Sequence, residues 1–556
     1  MGSTILQKER KLLFFLSMFI GLLFISRDLN NDIWFLLSDG RYVMNYGWPT
    51  TDPLSMHQGL DFVMQQWLSA VIFWQSYIIG GESGPIAVVY IISTLAILAY
   101  YNLLAIVSEG NTRLAVAATT LISFMPCLFF MVTRPQIFSL LIFILTMILL
   151  EKSIHAITIK RYLCFFLLSV LLINFHAAMW PLMMILCLPY LVEKIVQLDP
   201  KGIFLHKVTL PWREYIGILL VIAVGGFFNP YGIDAMTYTS HSYGIDLINS
   251  MVSEMKPLTF NNPLGKIAFC LMSFLIFMYS REKFPLRWPL LSLGMAILAL
   301  SATRSFVLFL TIGFFPIAYY LRHWQIKNIS NNQPQKINKK FCVTMMILIL
   351  LTYAYIFYKN KDAILQDLMQ IPLFITIGIL FAISIIALIE WRYGNLKKVR
   401  SISIRLLIFL TIAATCLSIL PLMTKHSIEP PLIKQAVDYI ITEQNTTSPV
   451  IWTGYIQGGY AEFRGLKPYL DPRAEVFLKV NNHQKDILQE YHDLETATMT
   501  YQDFLAKYHF DYILTTKENL MYYYLKEDPH YELVLEYDGT EFGGKSSVRL
   551  YKPIKD

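Results

Sequence analysis

Long apolar blocks, each nearly free of charge, follow one another along this chain up to about residue 421, separated by short polar or basic connections. A helix of that length and composition crosses roughly 30 Å of hydrocarbon with its backbone groups satisfied internally. The pattern predicts about thirteen transmembrane helices, near 12–26, 85–107, 114–131, 136–150, 162–176, 181–198, 215–229, 264–280, 288–302, 305–321, 341–358, 370–390 and 402–421. One further apolar stretch, 62–80, is different. It carries Trp67, Trp74 and Tyr77 among Gln65, Gln66 and Gln75, an interfacial mixture that predicts a helix lying on the membrane surface.

After Thr424 the pattern changes to that of a soluble α/β domain. It predicts a helix near 431–443, a strand at 449–453, helices near 480–494 and 500–508, a strand at DYILTT, and closing strands at YELVLEY and SVRLY. The expected organisation is therefore a transmembrane domain, 1–421, containing a first outer loop, 27–84, with surface helices, and an α/β domain, 422–556. The second part is long enough to bury its own core.

Charge fixes the expected orientation. With Lys8, Arg10 and Lys11 on the cytoplasmic side, the basic connections around Lys152 and Arg161, Lys194 and Arg213, Arg281 and Arg287, Arg322 and Lys340, and Arg392 and Arg400 also fall inside, provided that 27–107 crosses only once. The N-terminus is then cytoplasmic and 422–556 extracytoplasmic, in a multi-pass protein of the cell membrane. The first span has no small-residue cleavage site after it and reads as a retained anchor.

At 55% hydrophobic and 15% charged over 556 residues, the composition excludes a soluble chain. The net charge of +7 resides in the short connections and serves orientation, so nucleic acid is not an expected partner. All six cysteines lie inside apolar runs, which argues against disulfides and a thiolate metal site.

On this topology the unusual polar residues gather on the outer side: Asp28, Asp32 and Asp52 in the first outer loop, Arg134 after the third span, Asn174 and His176 at the end of the fifth, Glu254 in the fourth outer loop, and Arg304 after the ninth span. Each has a structural alternative. Asp32 reads as a catalytic carboxylate or as the N-cap of the helix IWFLLSDGRYVMNYG; Asp52 as a substrate contact or a turn residue before proline; Asp39 as a solvated or capping residue. Arg134 is either a two-pronged phosphate clamp or the anchor of a tight hairpin. His176 is a hydrogen-bonded interfacial histidine or a base. Glu254 and Arg304 divide between ion pairing and substrate contact. In the tail, Asp471 and Arg473 either face the membrane site or form a buried pair. A divalent metal held by Asp32, His176 and Glu254 has no local ligand spacing behind it.

The order of an acidic residue after the first span, the turn GWPTTDP, the aromatic helix QWLSA and then the second span resembles the GT-C superfamily of membrane glycosyltransferases. The style is nearest the lipid A aminoarabinose transferases, the protein O-mannosyltransferases and bacterial relatives that end in an outer α/β domain; TRPQ, NFH, NPYG and YLDPRAEVF also look like those relatives. The resemblance implies a sugar donor carried on polyprenyl phosphate and a catalytic carboxylate at the start of the first outer loop, a role that falls to Asp32 with Asp28 behind it. It further implies a cell-envelope glycan or lipid acceptor and a polyprenyl-phosphate sugar synthase acting upstream. The alternative function is a flippase or transporter of a lipid-linked saccharide, which would show broken spans and mid-span charges.

Overall fold

The computed structural model describes residues 29–111, 118–119, 130–196, 209–242, 245–259, 263–281, 284–321, 431–443, 448–541 and 544–554. Asp28 and the expected spans 12–26, 341–358, 370–390 and 402–421 lie outside the described residues, as does most of 114–131. The chain divides into two compact units; one comprises Ile25–Ala99, Met125–Phe314 and Ser427–Asp556, and the residues discussed below belong to it apart from the ends of the helical stretches Ser83–Val107 and Thr303–Tyr320.

Helix α1 (Ile33–Tyr46) starts directly after Asn30–Asn31 and stops at Gly47, whose φ of 84° ends the helix ahead of Pro49. Its first half is buried. It crosses α2 (Trp67–Gly80) at Gly40, where a Cβ would stand 2.2 Å from the Ala70 carbonyl oxygen, so only glycine permits this approach. The surface helix expected at 62–80 is thus a helix from Trp67 onward.

The helical layer contains α3 (Ser83–Val107), α4 (Gln136–Lys152), α5 (Ile159–His176), α6 (Trp180–Ile195), α7 (Trp212–Gly226) and α8 (Arg287–Ser301). Helix α5 packs against α4 and α7, and α6 packs against α7. Leucines 163, 167 and 171 recur every fourth residue on α5 and are exposed, as are Ile216, Leu220 and Val224 on α7. Apolar stripes turned away from a packed core suit contact with lipid. Among the described residues, three helical stretches are long and apolar enough to cross a membrane: Ser83–Val107, Ile159–Ile195 and Thr303–Tyr320. The expected number of thirteen spans is therefore not reached within them.

One charge of the expected basic connections is drawn into the helical packing. Arg287 is buried at the start of α8, pairing with Glu151 at 2.8 Å and Glu193 at 3.0 Å, while Tyr190 and Trp288 also donate to Glu151. The cluster ties together the ends of α4, α6 and α8.

The tail folds as expected into an α/β unit. Its five-stranded sheet has the order β2-β1-β3-β5-β4, with β1 (Val450–Trp452), β2 (Lys467–Pro468), β3 (Tyr512–Thr516), β4 (Tyr531–Glu541) and β5 (Gly544–Pro553). Strand β1 runs parallel to β2 and β3, whereas β5 is antiparallel to β3 and β4. The expected helices appear at Lys434–Glu443, Ile487–Glu495 and Tyr501–Lys507.

The boundary at 422 is nevertheless not a packing boundary. Leu60, Phe62 and Met64 from the segment between α1 and α2, and Ile248 and Met255 from the segment 245–259, are buried in the same core as Trp452, Tyr469, Phe477 and Phe504. Burying each large apolar side chain contributes about 1.5–3 kcal/mol, so these two segments hold their conformation through the tail.

Candidate active site

The Asn-Asn-Asp segment ahead of α1 and the Thr-Arg-Pro turn ahead of α4 meet side by side. The Asn30 amide donates to Thr133 Oγ1 at 3.0 Å, and Asn30 Oδ1 accepts from both Asp32 N (3.1 Å) and Arg134 Nε (3.0 Å). Proline at 135 opens α4 and stiffens the turn that presents Arg134. Asp32 occupies the N-cap position of α1 without using its side chain as a cap. Its carboxylate instead meets Arg134 Nε at 2.9 Å, and Arg134 Nη1 meets Glu254 at 2.8 Å.

These three groups wall a cavity of about 420 Å³ that also receives Gln65, His176, Arg304, Tyr455 and Glu475. The tail contributes Tyr455, Ile456 and the segment 472–475 to its lining. Burial holds Asp32 above the ordinary carboxylate range; Arg134 opposes this, and Glu254 and Glu475 reinforce it. Burial acts to lower Arg134, but Asp32 and Glu254 outweigh it and hold the guanidinium above its usual value. A carboxylate with raised basicity beside a fixed guanidinium can accept a proton while an anion is held nearby.

The other candidates divide between this cavity and elsewhere. Arg304, on the turn Thr303–Ser305, lines the cavity together with Arg134. His176 lines it too, with Nδ1 2.9 Å from Ser139 Oγ. Asn174 does not: it accepts from Trp67 Nε1 at 2.8 Å and donates to the Val170 and Phe228 carbonyls, so it braces α2, α5 and the segment after α7. Trp34 and Trp67 are taken up in packing against Tyr460 and Trp48 respectively.

Asp471 and Arg473 form a buried cluster. Arg473 is 3% exposed and pairs with Asp471 at 2.7 Å, Asp52 at 3.0 Å, Glu462 at 3.0 Å and Asp39 at 3.5 Å. Asp39, expected in solvent or at a cap, is therefore a buried mid-helix carboxylate. Asp52 also organises its own turn by accepting from Leu54 N and Ser55 N. Burial pushes Asp39 up to about 8 and Glu462 well above its ordinary value, whereas Arg473 and the Ser55 hydrogen bonds overcome burial and hold Asp52 low. Near neutrality Asp39 keeps its proton, whereas Asp52 is held on the ionised side by Arg473. The cluster fastens α1 and the Asp52 turn to the tail and so fixes the cavity wall on which Asp32 stands.

A pH dependence follows. A carboxyl whose pKa is raised in the folded state contributes stability below its unfolded value, near 4, and loses it as pH rises through about 8. Thermal unfolding of the purified protein is expected at a lower temperature at pH 9 than at pH 6, and Asp39→Asn is expected to reduce that difference. An equal difference in the variant counts against this role for Asp39.

Several cavity residues carry no signal of their own in the sequence. Glu475 accepts from Tyr238 at 2.7 Å and Gln65 at 3.4 Å, and Tyr455 donates to the Pro472 carbonyl at 2.8 Å. Only Glu475 lies in a segment already notable, YLDPRAEVF. Asp32 and Glu254 both turn to Arg134 and His176 to Ser139, and among the described residues no group of three His, Cys, Asp or Glu side chains is placed to hold a metal ion.

No family model matches the chain, and no curated protein matches it. Among solved structures the chain is similar to an oligosaccharyltransferase of Archaeoglobus fulgidus in complex with zinc and sulfate, at 11% identity and a TM-score of 0.49, covering 95% of this chain and 72% of that one. It is similar also to ArnT of Cupriavidus metallidurans bound to undecaprenyl phosphate, at 10% identity and a TM-score of 0.49, covering 98% of this chain and 97% of that one.

Proposed function

We propose that this chain is a GT-C-type membrane glycosyltransferase that transfers a sugar from a polyprenyl-phosphate-linked donor to a glycan or lipid acceptor of the cell envelope, on the outer face of the membrane. The observation that carries the reading is the 2.9 Å pairing of Asp32 with Arg134 in the wall of one cavity that Arg304 also lines. A phosphate-linked sugar leaves as an anion and needs no acid to protonate it. The reaction needs a base at the acceptor hydroxyl and positive charge at the phosphate.

Asp32 is the base in this scheme. The acceptor oxygen attacks the anomeric carbon, its proton passes to the Asp32 carboxylate, and the carbon–oxygen bond to phosphate breaks with the electron pair leaving on the lipid phosphate. Arg134 and Arg304 hold that anion. Asp28, on the same approach to α1 in sequence, is the second carboxylate of the proposal, and Glu254 competes with the donor for Arg134. An upstream synthase would supply the lipid-linked sugar, and the surrounding membrane lipids would admit its chain.

Transfer of labelled sugar from a polyprenyl-phosphate donor in membranes, with expression checked for each variant, tests the reading. Arg134→Lys is expected to raise the KM for donor roughly tenfold with a smaller change in kcat, because a point charge replaces a two-pronged donor. An unchanged KM would remove Arg134 from the phosphate site, and donor movement across the membrane without transfer would point to a flippase.

A further inference from the structure

A second cleft, of about 590 Å³, opens where the C-terminal end of α1 meets the tail. It is lined by Arg41, Tyr42, Asn45 and Tyr46 of α1 and by Ser448 and Lys467 of the tail. The cavity around Asp32 uses the opposite end of the same helix. Asp32 precedes Arg41 by nine positions, about 14 Å along a helix, so the two sites are separate and held at a fixed distance.

Both cations are half-buried and built in. The Arg41 guanidinium lies 5.7 Å from the Trp74 ring and 5.5 Å from the Phe463 ring, and donates to the Glu462 carbonyl at 3.4 Å. Lys467 Nζ donates to the Pro53 carbonyl. Among the described residues neither cation has a carboxylate within ion-pair distance, since the Glu462 carboxyl is turned inward onto Arg473. Burial lowers the pKa of each below its ordinary value. Glu462 acts on both cations and Asp52 on Lys467 only from beyond pairing distance, so two desolvated positive charges without a directly paired carboxylate are stabilised by an arriving anion. Beside them, the Tyr42 and Tyr46 rings sit 5.0 Å apart, with Tyr46 76% exposed and the Asn45 amide also open to solvent. An exposed tyrosine ring beside a half-buried one, with an amide donor and acceptor, suits a sugar ring rather than a bare ion.

We propose that this cleft binds an anionic saccharide, one carrying a phosphate or a carboxylate, and that it holds a distal part of the acceptor while the reacting hydroxyl lies at Asp32. The acceptor role rests on the reading of the Asp32 cavity as the transfer site; the binding itself does not. The separation of the two sites makes the acceptor an extended molecule rather than a monosaccharide.

Isothermal titration of the detergent-solubilised full chain with glucose 1-phosphate, glucuronic acid, glucose and inorganic phosphate tests the binding. The two charged sugars are expected to bind at least tenfold more tightly than glucose, and glucose 1-phosphate more tightly than inorganic phosphate. The double variant Arg41→Gln, Lys467→Met is expected to lose at least tenfold in that affinity, Lys467→Arg to retain it, and Asp32→Asn to leave it unchanged. Glucose binding as well as the charged sugars, phosphate binding as well as glucose 1-phosphate, or an unaltered double variant would each overturn the site. Should the double variant fail to fold, the wild-type chain decides: glucose 1-phosphate, and not glucose, is expected to slow acetylation of Lys467, and equal rates overturn the proposal. In transfer assays the double variant is expected to raise the KM for acceptor with the KM for donor unchanged. Loss of the transfer reading through a fully active Asp32→Asn variant leaves these titrations intact, so the two failures are distinguishable.

Discussion

Asp32→Asn is expected to lower sugar transfer from a polyprenyl-phosphate donor by roughly two to four orders of magnitude, the range for removal of a positioned base. Asparagine keeps the size of the side chain and can still accept from Arg134, which reaches Asp32 at 2.9 Å, so folding is expected to survive. The variant loses only the basic oxygen. In the wild type, kcat is expected to rise with pH through a value above the ordinary carboxylate range, because burial raises Asp32 and its ionised form is the active one. Replacing Arg134 by glutamine removes an opposing influence and is expected to move that limb further up. Full activity in Asp32→Asn would transfer the role to Asp28, since Asp52 is paired to Arg473 away from this cavity. A limb that ignores Arg134→Gln would show that another group controls the profile.

Arg473→Met is expected to destabilise the packing of α1 and the Asp52 turn on the tail by about 3–5 kcal/mol, the cost of breaking a buried ion cluster by deleting one sign of charge. The arginine contacts Asp39, Asp52, Glu462 and Asp471, all of them almost completely buried. Removing it leaves Asp52 and Asp471 without their cation and forces further protonation or water entry. Lower thermal stability, faster proteolysis between the outer loops and the tail, and loss of transfer are expected together. The triple replacement Arg473→Met, Asp471→Asn, Asp52→Asn is expected to recover part of the stability because it removes the orphaned charges too. A stable, well-folded Arg473→Met chain that lacks transfer alone would return Arg473 to the substrate site.

Much of the candidate site is legible from residue type and position. Asp32 and Arg134 stand out because each is a charge placed beside an apolar block, where ionised groups are costly unless they are used. The same rule does not say which charges meet each other. Asp39 reads as a helix-surface residue, and only the approach of the tail shows that its face of α1 is covered. Asn174 reads as a polar group at a span end, and only the position of Trp67 reveals its partner. Glu475 has no distinguishing pattern, since a carboxylate in a soluble domain is ordinary until a second segment carries Gln65 and Tyr238 up to it.

The sequence by itself determined the long apolar helices, the strands and helices of the tail, and the helix after residue 62, because hydrophobic periodicity and backbone self-satisfaction act over neighbouring residues. Tertiary structure alone decided that Leu60, Phe62, Met64, Ile248 and Met255 share one core with the tail, that Arg473 is spent on four acidic side chains, and that Asp32, Arg134 and Glu254 converge. Contacts such as Arg134 with Glu254, 120 residues apart, depend on how the chain closes its long loops. Local pattern holds no record of such distances, and the low dielectric of the assembled interior then sets which of the gathered charges stay ionised.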